Sequence, residues 1–123
     1  MEKFQLVQEF IAYLENLGYR PHLTIDMTHP FTHGIPESVK AAQPKGSVTF
    51  NVSQTAAPDL RIGMYQCQAS MRFNGVHADV AWHPDAIQVV HAPGPNTPHM
   101  IFPVEHNVEE VEVKTKPTLK VVK

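Results

Sequence analysis

Apolar residues near the start of the chain recur at helical spacing. Between residues 2 and 17, four of them follow one another at intervals of three or four positions: Phe4, Val7, Ile11 and Leu14. Side chains at this spacing share one face of an α-helix. Gly18 then occupies the position at which a residue with positive φ commonly ends a helix. The pattern predicts an N-terminal α-helix over residues 2–17.

A second apolar set widens this helical face. Four more apolar residues lie beside the first stripe: Leu6, Phe10, Tyr13 and Leu17. At about 100° per residue the combined stripe covers roughly half the circumference, more than a helix needs to cover one sheet. The surplus predicts a second contact surface, and we expect a symmetric homodimer with Phe10, Tyr13 and Leu17 in its interface. The alternative is a helix sunk deep in its own domain.

After the helix, the pattern changes to alternation, which is typical of half-buried strands. Alternating or short apolar segments follow at residues 23–27, 47–52, 60–62, 66–73, 76–82, 87–92 and 100–102. Asn74-Gly75 favours a type I′ hairpin turn, because both central residues readily take positive φ. We therefore expect a mainly β domain with one N-terminal α-helix, in which five or six strands in meander order form a strongly bent sheet or open barrel over residues 21–103.

One long connector interrupts the strand pattern. Residues 28–45 contain three prolines and Gly34, which prevent regular structure over any long run. We expect an irregular segment with one helical turn near residues 37–40. Connectors of this length are often functional or mobile.

Composition limits the size and class of the protein. A chain of 123 residues with 42% hydrophobic content can bury one core, so we expect one domain over residues 1–104. The net charge of −2 and the position of several lysines at the very end disfavour nucleic-acid binding. A single cysteine excludes an internal disulfide. With neither a long apolar run nor a secretory signal, we expect a soluble, cytoplasmic protein.

Candidate catalytic and metal-binding groups are sparse. Eight histidines invite a metal hypothesis, and His29 and His33 lie close together in the connector, but a zinc site needs three or four ligands. Cys67 alternates with small apolar residues, which favours a core position over a nucleophile. The aspartates lack a paired spacing, and phosphate-loop and serine-nucleophile motifs are missing from the sequence. We expect no catalytic residue, no metal, no cofactor and no enzymatic activity.

Two aromatic residues raise an alternative, because Trp82 and Phe73 could stack the bases of single-stranded RNA, as in Sm-like barrels. Both lie on the apolar face of their strands, and basic residues do not cluster near them. Core packing is therefore favoured for both.

The end of the chain differs in composition from the rest. Acidic residues mixed with single valines occupy residues 105–115, which suits a flexible tether because this composition is too polar to fold alone. Residues 116–123 place three apolar side chains among three lysines, and Pro117 disfavours a helix. Such a segment can dock as an added strand on another protein. Alternatively, residues 108–113 form an edge strand and residues 119–122 end the domain.

The last eight residues, KPTLKVVK, resemble the terminal ClpX-docking motif of the stringent starvation protein B (SspB) family, in which Pro, Leu and a final Val-Val-Lys recur among basic residues. Four further segments are similar to the family in the same order: residues 20–28, 47–52, 72–76 and 87–92. The resemblance spans nearly the whole chain, and the tail and RPHLTIDMT are its most specific parts. Residues 63–67 differ from the family, which has more polar and acidic residues at these positions.

This resemblance implies a fold, a set of partners and a set of site residues. It implies a small open β-barrel related in shape to SH3-like and Sm-like folds, a homodimer, and an adaptor that captures ssrA-tagged substrates for the ClpXP protease. The groove for the tag would include Ser53, Ala56, Ala57, Met71, Arg72 and Phe73. The tail would dock on the N-terminal domain of ClpX through Pro117, Leu119, Lys120, Val121, Val122 and Lys123. A peptide-binding or regulatory module of ClpX with a different cargo stays open.

Overall fold

The structure, a computed structural model, describes residues 1–43 and 45–103. Within these ranges the protein is mainly β, with strands in two antiparallel sheets and one main helix at the N-terminus. The predicted class is confirmed at this level. The predicted tether over residues 105–115 and the predicted docking segment over residues 116–123 lie outside the described residues.

Helix α1 spans Lys3–Asn16 and has a defined cap at each end. At its start, the Glu2 N–H donates to Gln5 Oε1 at 2.8 Å. At its end, Gly18 takes φ +88° and the Tyr19 N–H donates to the Leu14 carbonyl at 3.0 Å, which is the Schellman arrangement. The predicted helix is confirmed to within one residue at each end. Its buried face consists of Val7, Ile11 and Leu14.

Seven strands in the described residues form the two sheets. They are β1 His22–Asp26, β2 Ser47–Asn51, β3 Arg61–Ile62, β4 Cys67–Phe73, β5 Val76–Trp82, β6 Ile87–His91 and β7 His99–Ile101. One sheet has the order β2-β1-β6-β7 and the other has the order β3-β4-β5. All the paired strands are antiparallel, and the described strands are not closed into a barrel.

The predicted meander order is wrong at β6, which pairs with β1 and not with its predecessor β5. A 3-10 turn, Pro84–Ala86, separates β5 from β6 where a meander would have a hairpin turn. Proline lacks an N–H, so Pro84 cannot continue a ladder. Alternation identifies which side chains of a strand face the core, but it does not identify the neighbouring strand.

One hydrophobic core lies between the helix and the sheets. Its largest fully buried side chains include Trp82, Leu14, Leu23, Ile25 and Ile87. The Phe50 ring meets Trp82 edge-on, with the ring centroids 5.2 Å apart. Because Phe50 lies on β2 and Trp82 on β5, this contact joins the two sheets.

The connector is fastened to the edge of β5. The His33 N–H donates to the Ala81 carbonyl at 2.8 Å, and the Ala81 N–H donates back to the His33 carbonyl at 3.0 Å. Gly34, at φ +90°, passes so close to β5 that an added Cβ would lie 1.9 Å from the Asp79 carbonyl oxygen. Ile35 then inserts its side chain into the core. The connector is irregular as predicted, but its first half is held in place.

A short helix, α2, covers Glu37–Ala42 and matches the helical turn predicted in the connector. Its side chains are exposed or half-buried, and its Lys40 Nζ lies 3.7 Å from Glu37 Oε2. Across residues 1–43 and 45–103, neither helix combines the length and the apolarity that crossing a membrane requires.

Candidate functional site

A cleft of about 340 Å³ lies where the turn after β2 approaches β4 and β5. Its lining is contributed by Phe50, Asn51, Thr55, Ala56, Ser70, Met71, Arg72 and His77. We call it the Arg72 cleft. Three residues of the predicted tag groove, Ala56, Met71 and Arg72, meet in it although they come from separate segments of the chain.

The turn that forms one wall of the Arg72 cleft is rigidly built. The Ala56 and Ala57 N–H groups both donate to the Ser53 carbonyl, at 3.0 and 2.8 Å. The Ser53 N–H donates to Asn51 Oδ1 at 2.9 Å, and the Gln54 N–H donates to Glu15 Oε2 on α1 at 2.9 Å. The wall is thereby fixed to β2 and to the helix before any ligand binds.

The other three predicted groove residues support the cleft but do not line it. Ser53 and Ala57 are buried, and Phe73 is half-buried with its ring edge-on to Phe50 at 6.3 Å. Among the described residues, the Ser53 Oγ is buried without a hydrogen-bond partner. A small buried residue at this position lets the turn lie close to the sheet.

Sequence reasoning missed several lining residues, and His77 was within its reach. A two-residue Asn-Gly turn pairs residues at equal distances on its two sides, and the structure pairs Arg72 with His77. The carbonyl oxygen of Gly75, in the turn between them, accepts a hydrogen bond from Arg72 Nη1 at 3.1 Å. Phe50 and Thr55 carried no such signal, because they reach the cleft through the long-range approach of β2.

Ser70 and His77, which line the Arg72 cleft, belong to a polar network with Asp59 and Asp79, which lie outside its lining. The Ser70 N–H donates to Asp59 Oδ1 at 3.0 Å, and the Ser70 hydroxyl donates to Asp79 Oδ1 at 2.7 Å. The hydrogen bond from the Ser70 backbone is the main reason that the pKa of Asp59 lies below its usual range. His77 Nε2 lies 3.2 Å from the same Asp79 oxygen. The cleft thus combines an apolar floor, a guanidinium and a hydrogen-bonding rim.

A second cleft, of about 370 Å³, lies at the other end of β5. It is lined by Phe31, His33, Tyr65, Gln66, Ala81, Trp82 and His83, and we call it the aromatic cleft. Phe31 is 61% exposed and Tyr65 is 78% exposed. One wall comes from the connector, and Tyr65 belongs to the segment that departs from the SspB family.

The structure does not bring together His29 and His33, the two histidines of the connector that were considered as metal ligands and disfavoured. His33 lies at the β5 edge, whereas the buried His29 ring stacks on His83, with the centroids 5.4 Å apart. Candidate ligand atoms of His29, His83 and Asp85 all lie within 4.8 Å of one another.

Hydrogen bonding gives these two rings the wrong tautomer for a metal site. His29 Nδ1 accepts from the Phe31 N–H at 3.2 Å, and His83 Nδ1 accepts from the Asp85 N–H at 3.0 Å. In a neutral ring whose Nδ1 accepts, the proton is on Nε2. Neither nitrogen then offers a free lone pair, so the arrangement fits turn stabilisation better than metal binding.

Two other candidates belong to the core, as predicted. Cys67 is fully buried, and burial raises the pKa of its thiol to about 12, which suppresses the reactive thiolate. Trp82 is also fully buried, so its ring faces cannot stack on a nucleic-acid base. Trp82 is therefore not available for the RNA-stacking surface that was considered for Trp82 and Phe73.

The predicted dimer residues of α1 are placed on its outer side. Tyr13 is 51% exposed and Leu17 is 53% exposed, while Phe10 is half-buried and stacks on Tyr13 with the centroids 5.6 Å apart. The alternative of a helix sunk deep in its own domain does not hold for these two exposed side chains. Their spacing of three and four positions places the three residues on one face at the outer side of the helix.

Both clefts occur on the three-stranded sheet, and both use a wall supplied by a loop. The SspB resemblance stays a prediction from the residues quoted for it, because comparison of the chain with protein-family models and with curated proteins gives no match.

Proposed function

We propose that this protein is a non-enzymatic, cytoplasmic adaptor of the SspB type, which binds a tag peptide such as ssrA and delivers the tagged protein to the ClpXP protease. The observation that carries the proposal is the Arg72 cleft, in which Ala56, Met71 and Arg72 converge beside a prebuilt turn. The two sheets around one core would be the halves of an open barrel of this family.

The edge of β4 supports peptide binding at this cleft. Strand β3 pairs with residues 67–68 of β4, so among the described strands residues 69–73 have no partner on that side. The Ser70 N–H donates to Asp59 and not to β5, so the backbone groups of Ser70 point away from β5. Every second residue of β4 directs its backbone groups to this same edge. Arg72, two positions on, directs its backbone N–H and carbonyl to the same edge. An extended peptide can add as a short strand beside Arg72, beyond Ser70, whose N–H is already bound by Asp59.

Side chains around the cleft indicate the kind of peptide. Phe50 and Met71 offer apolar surface to an aliphatic side chain, and Asn51 and Thr55 offer hydrogen-bonding groups. Arg72, which is exposed, can bind a carboxylate with two parallel hydrogen bonds. We expect a small, partly apolar peptide that carries a carboxylate near one end.

Delivery would depend on residues 105–123. A cargo held beside ClpX by a tether experiences a local concentration on the order of millimolar, so that a weak contact between the tag and the protease becomes sufficient. A homodimer through Phe10, Tyr13 and Leu17 would present two docking segments and add avidity. Sedimentation of the wild-type chain and of Leu17→Lys at micromolar concentration tests this point, and a wild-type monomer would remove the dimer.

The central experiment is a fluorescence anisotropy titration of a labelled ssrA peptide with the full chain. We expect Arg72→Ala to weaken binding by about tenfold or more, since a charge-assisted pair is lost. Arg61→Ala, which removes an exposed arginine outside the cleft, should leave the affinity unchanged. Absence of binding, or equal losses in both variants, would reject the Arg72 cleft as the tag site.

Deletion of residues 116–123 separates binding from delivery. Peptide affinity should be unchanged, whereas degradation of an ssrA-tagged reporter by ClpXP should lose its dependence on this protein. Unaltered stimulation by the shortened chain would contradict the docking role of the tail.

The aromatic cleft favours one alternative, a ClpX-binding module with a different cargo. Phe31 and Tyr65 present exposed rings at the segment that departs from the SspB family. If a captured peptide is released by Tyr65→Ala and retained by Arg72→Ala, this alternative replaces tag recognition.

A further inference from the structure

Three histidines form a row across the outer face of the four-stranded sheet. His22 on β1 pairs directly with His91 on β6, and His91 pairs directly with His99 on β7. Directly paired residues project from the same face of a sheet. The adjacent residues Leu23 and Val90 are fully buried, so the three imidazoles lie on the opposite, outer face. We call them the histidine row.

Backbone carbonyls fix the tautomers in this row. The Nδ1 atoms of His22 and His99 each lie beside the carbonyl oxygen two residues earlier, at 3.0 and 3.3 Å. A carbonyl oxygen can only accept, so each Nδ1 carries the proton and donates. The Nε2 of each neutral ring is then left with its lone pair.

The pKa of His91, at the centre of the row, is lowered from its ordinary value. Burial lowers the pKa of its ring, and the neighbouring His22 and His99 lower it further, although a hydrogen bond with the Ala92 backbone opposes the shift. The two outer members of the row each use a ring N–H to bind a backbone oxygen.

From this arrangement we propose that the histidine row binds a first-row transition-metal dication, such as Zn²⁺, through one nitrogen of each of His22, His91 and His99. A ligating histidine ordinarily donates its other ring N–H to a carbonyl or carboxylate, which orients the ring and raises its basicity. Imidazole nitrogen suits zinc, copper and nickel. The pattern is the reverse of that at His29 and His83, where the backbone donates to the rings.

Coordination by the row requires the outer rings to move toward His91, since the candidate ligand atoms that already lie within 4.8 Å of one another among the described residues are those of His29, His83 and Asp85. The His22 and His91 centroids are 5.9 Å apart at an angle of 44°, and neighbouring strands lie about 4.8 Å apart. His22 and His99 flank the central ring at one strand spacing each, and His99 is exposed. Metal binding would bring the Nε2 atoms of both outer rings inward toward His91 while each Nδ1 stays beside its carbonyl.

An open cleft next to the row leaves room for a fourth ligand. It measures about 630 Å³ and is lined by residues that include Thr24, His91 and His99, together with the loop after β6. The loop is compact, because Thr97 Oγ1 donates to the Ala92 carbonyl at 2.5 Å and to the Gly94 carbonyl at 3.0 Å. Three histidines with a fourth open position are a common zinc arrangement.

The test uses the full chain after treatment with a chelator, and Zn²⁺ titrated in competition with a chromophoric chelator. We expect one ion per chain, and a loss of affinity of at least about tenfold in His91→Gln and in His99→Gln. His77→Gln, on the other sheet, and His83→Gln, in the stacked pair, are the controls and should bind like the wild type. Far-UV circular dichroism verifies that each variant is folded.

A second measurement identifies the ligands directly. In ¹⁵N–¹H spectra of the imidazoles, Zn²⁺ should shift the signals of His22, His91 and His99 together and leave His77 in place. Absence of Zn²⁺ binding, or loss of binding in His83→Gln with retention in His91→Gln, would overturn the proposal. Because His99 is exposed, its substitution keeps the test valid if a change at His91 impairs folding.

Discussion

The four-stranded sheet is completed by its own strands, whereas the three-stranded sheet is completed by loops. Strand β1 pairs along its whole length with β2 and almost as fully with β6. In contrast, β3 contributes two residues to β4, and the remaining edges are occupied by Asp59, which accepts from Ser70, and by His33, which pairs with Ala81.

This difference determines where concave surface appears. A regular ladder leaves a smooth sheet face, while a loop that replaces a strand stands away from the sheet and leaves a depression beside it. The Arg72 cleft lies beside the turn after β2, and the aromatic cleft lies beside the connector. These two clefts therefore reflect the incomplete regular structure of the three-stranded sheet, and the open cleft beside the histidine row also borders a loop, the one after β6.

The largest expected effect is on the complete sheet. Leu23 on β1 is fully buried between paired neighbours, so Leu23→Ala should lower the free energy of unfolding by about 4 kcal/mol. Ile62→Ala, on the two-residue β3 at the edge of the core, should cost about 2 kcal/mol. Chemical denaturation measures both. A greater loss at Ile62 would contradict the distinction between the sheets.

Gly34→Ala tests the connector and ranks next. Its Cβ would overlap the Asp79 carbonyl oxygen, and φ +90° is strained for alanine, so we expect a loss of about 3 kcal/mol. Gly18→Ala is the matched control, because Gly18 has φ +88° and open space around it. That substitution should cost about 1 kcal/mol. If denaturation experiments gave equal losses of unfolding free energy for the two variants, the close contact of the connector with β5 would be contradicted.

Asp59→Ala removes the side chain that completes the β4 edge. The variant should be less stable than the wild type at neutral pH, because the Ser70 N–H loses its acceptor. The folded-state pKa of Asp59 is below its ordinary value of 3.8, so this contribution is present above pH 3.8 and is lost as the pH falls through the lower value. Denaturation at several pH values should show the two proteins converge in acid. Glu37→Ala, at an exposed ion pair, should have little effect.

The smallest effect concerns His91 on the complete sheet. Its pKa in the folded state lies below the ordinary value of 6.5 because of burial and the neighbouring His22 and His99. Below pH 6.5 the unfolded chain therefore takes up a proton that the folded chain resists, and stability falls as the pH decreases. His91→Gln should flatten the dependence measured between pH 7 and 5, whereas His77→Gln should preserve it. Identical slopes for the wild type and His91→Gln would refute this assignment.

Local patterns in the sequence were sufficient for the elements. The apolar spacing of α1 and the glycine at residue 18 defined the helix, and Asn74-Gly75 defined the β4–β5 hairpin, whose central residues take φ 51° and 83°. Each signal is short-range, because the residues involved contact one another within one turn or one hairpin.

The pairing of strands that are distant in the chain could not be predicted from local sequence patterns. Nothing in the alternation of β6 distinguishes β1 from β5 as its partner, so the histidine row, which joins β1 to the much later strands β6 and β7, could not be foreseen. The groove prediction located Ala56, Met71 and Arg72 but missed Phe50, because the approach of β2 to β4 depends on the whole core. The close contact of Gly34 with β5 was hidden for the same reason.

The contact between the connector and β5 has one further consequence. An exposed outer strand presents unpaired backbone groups that can recruit the same strand of another molecule and begin aggregation. By pairing with Ala81 on that side, His33 occupies part of this margin, and Gly34 covers the next part by lying against Asp79. The proline-rich connector thus also protects this edge of β5 from pairing with a strand of another molecule.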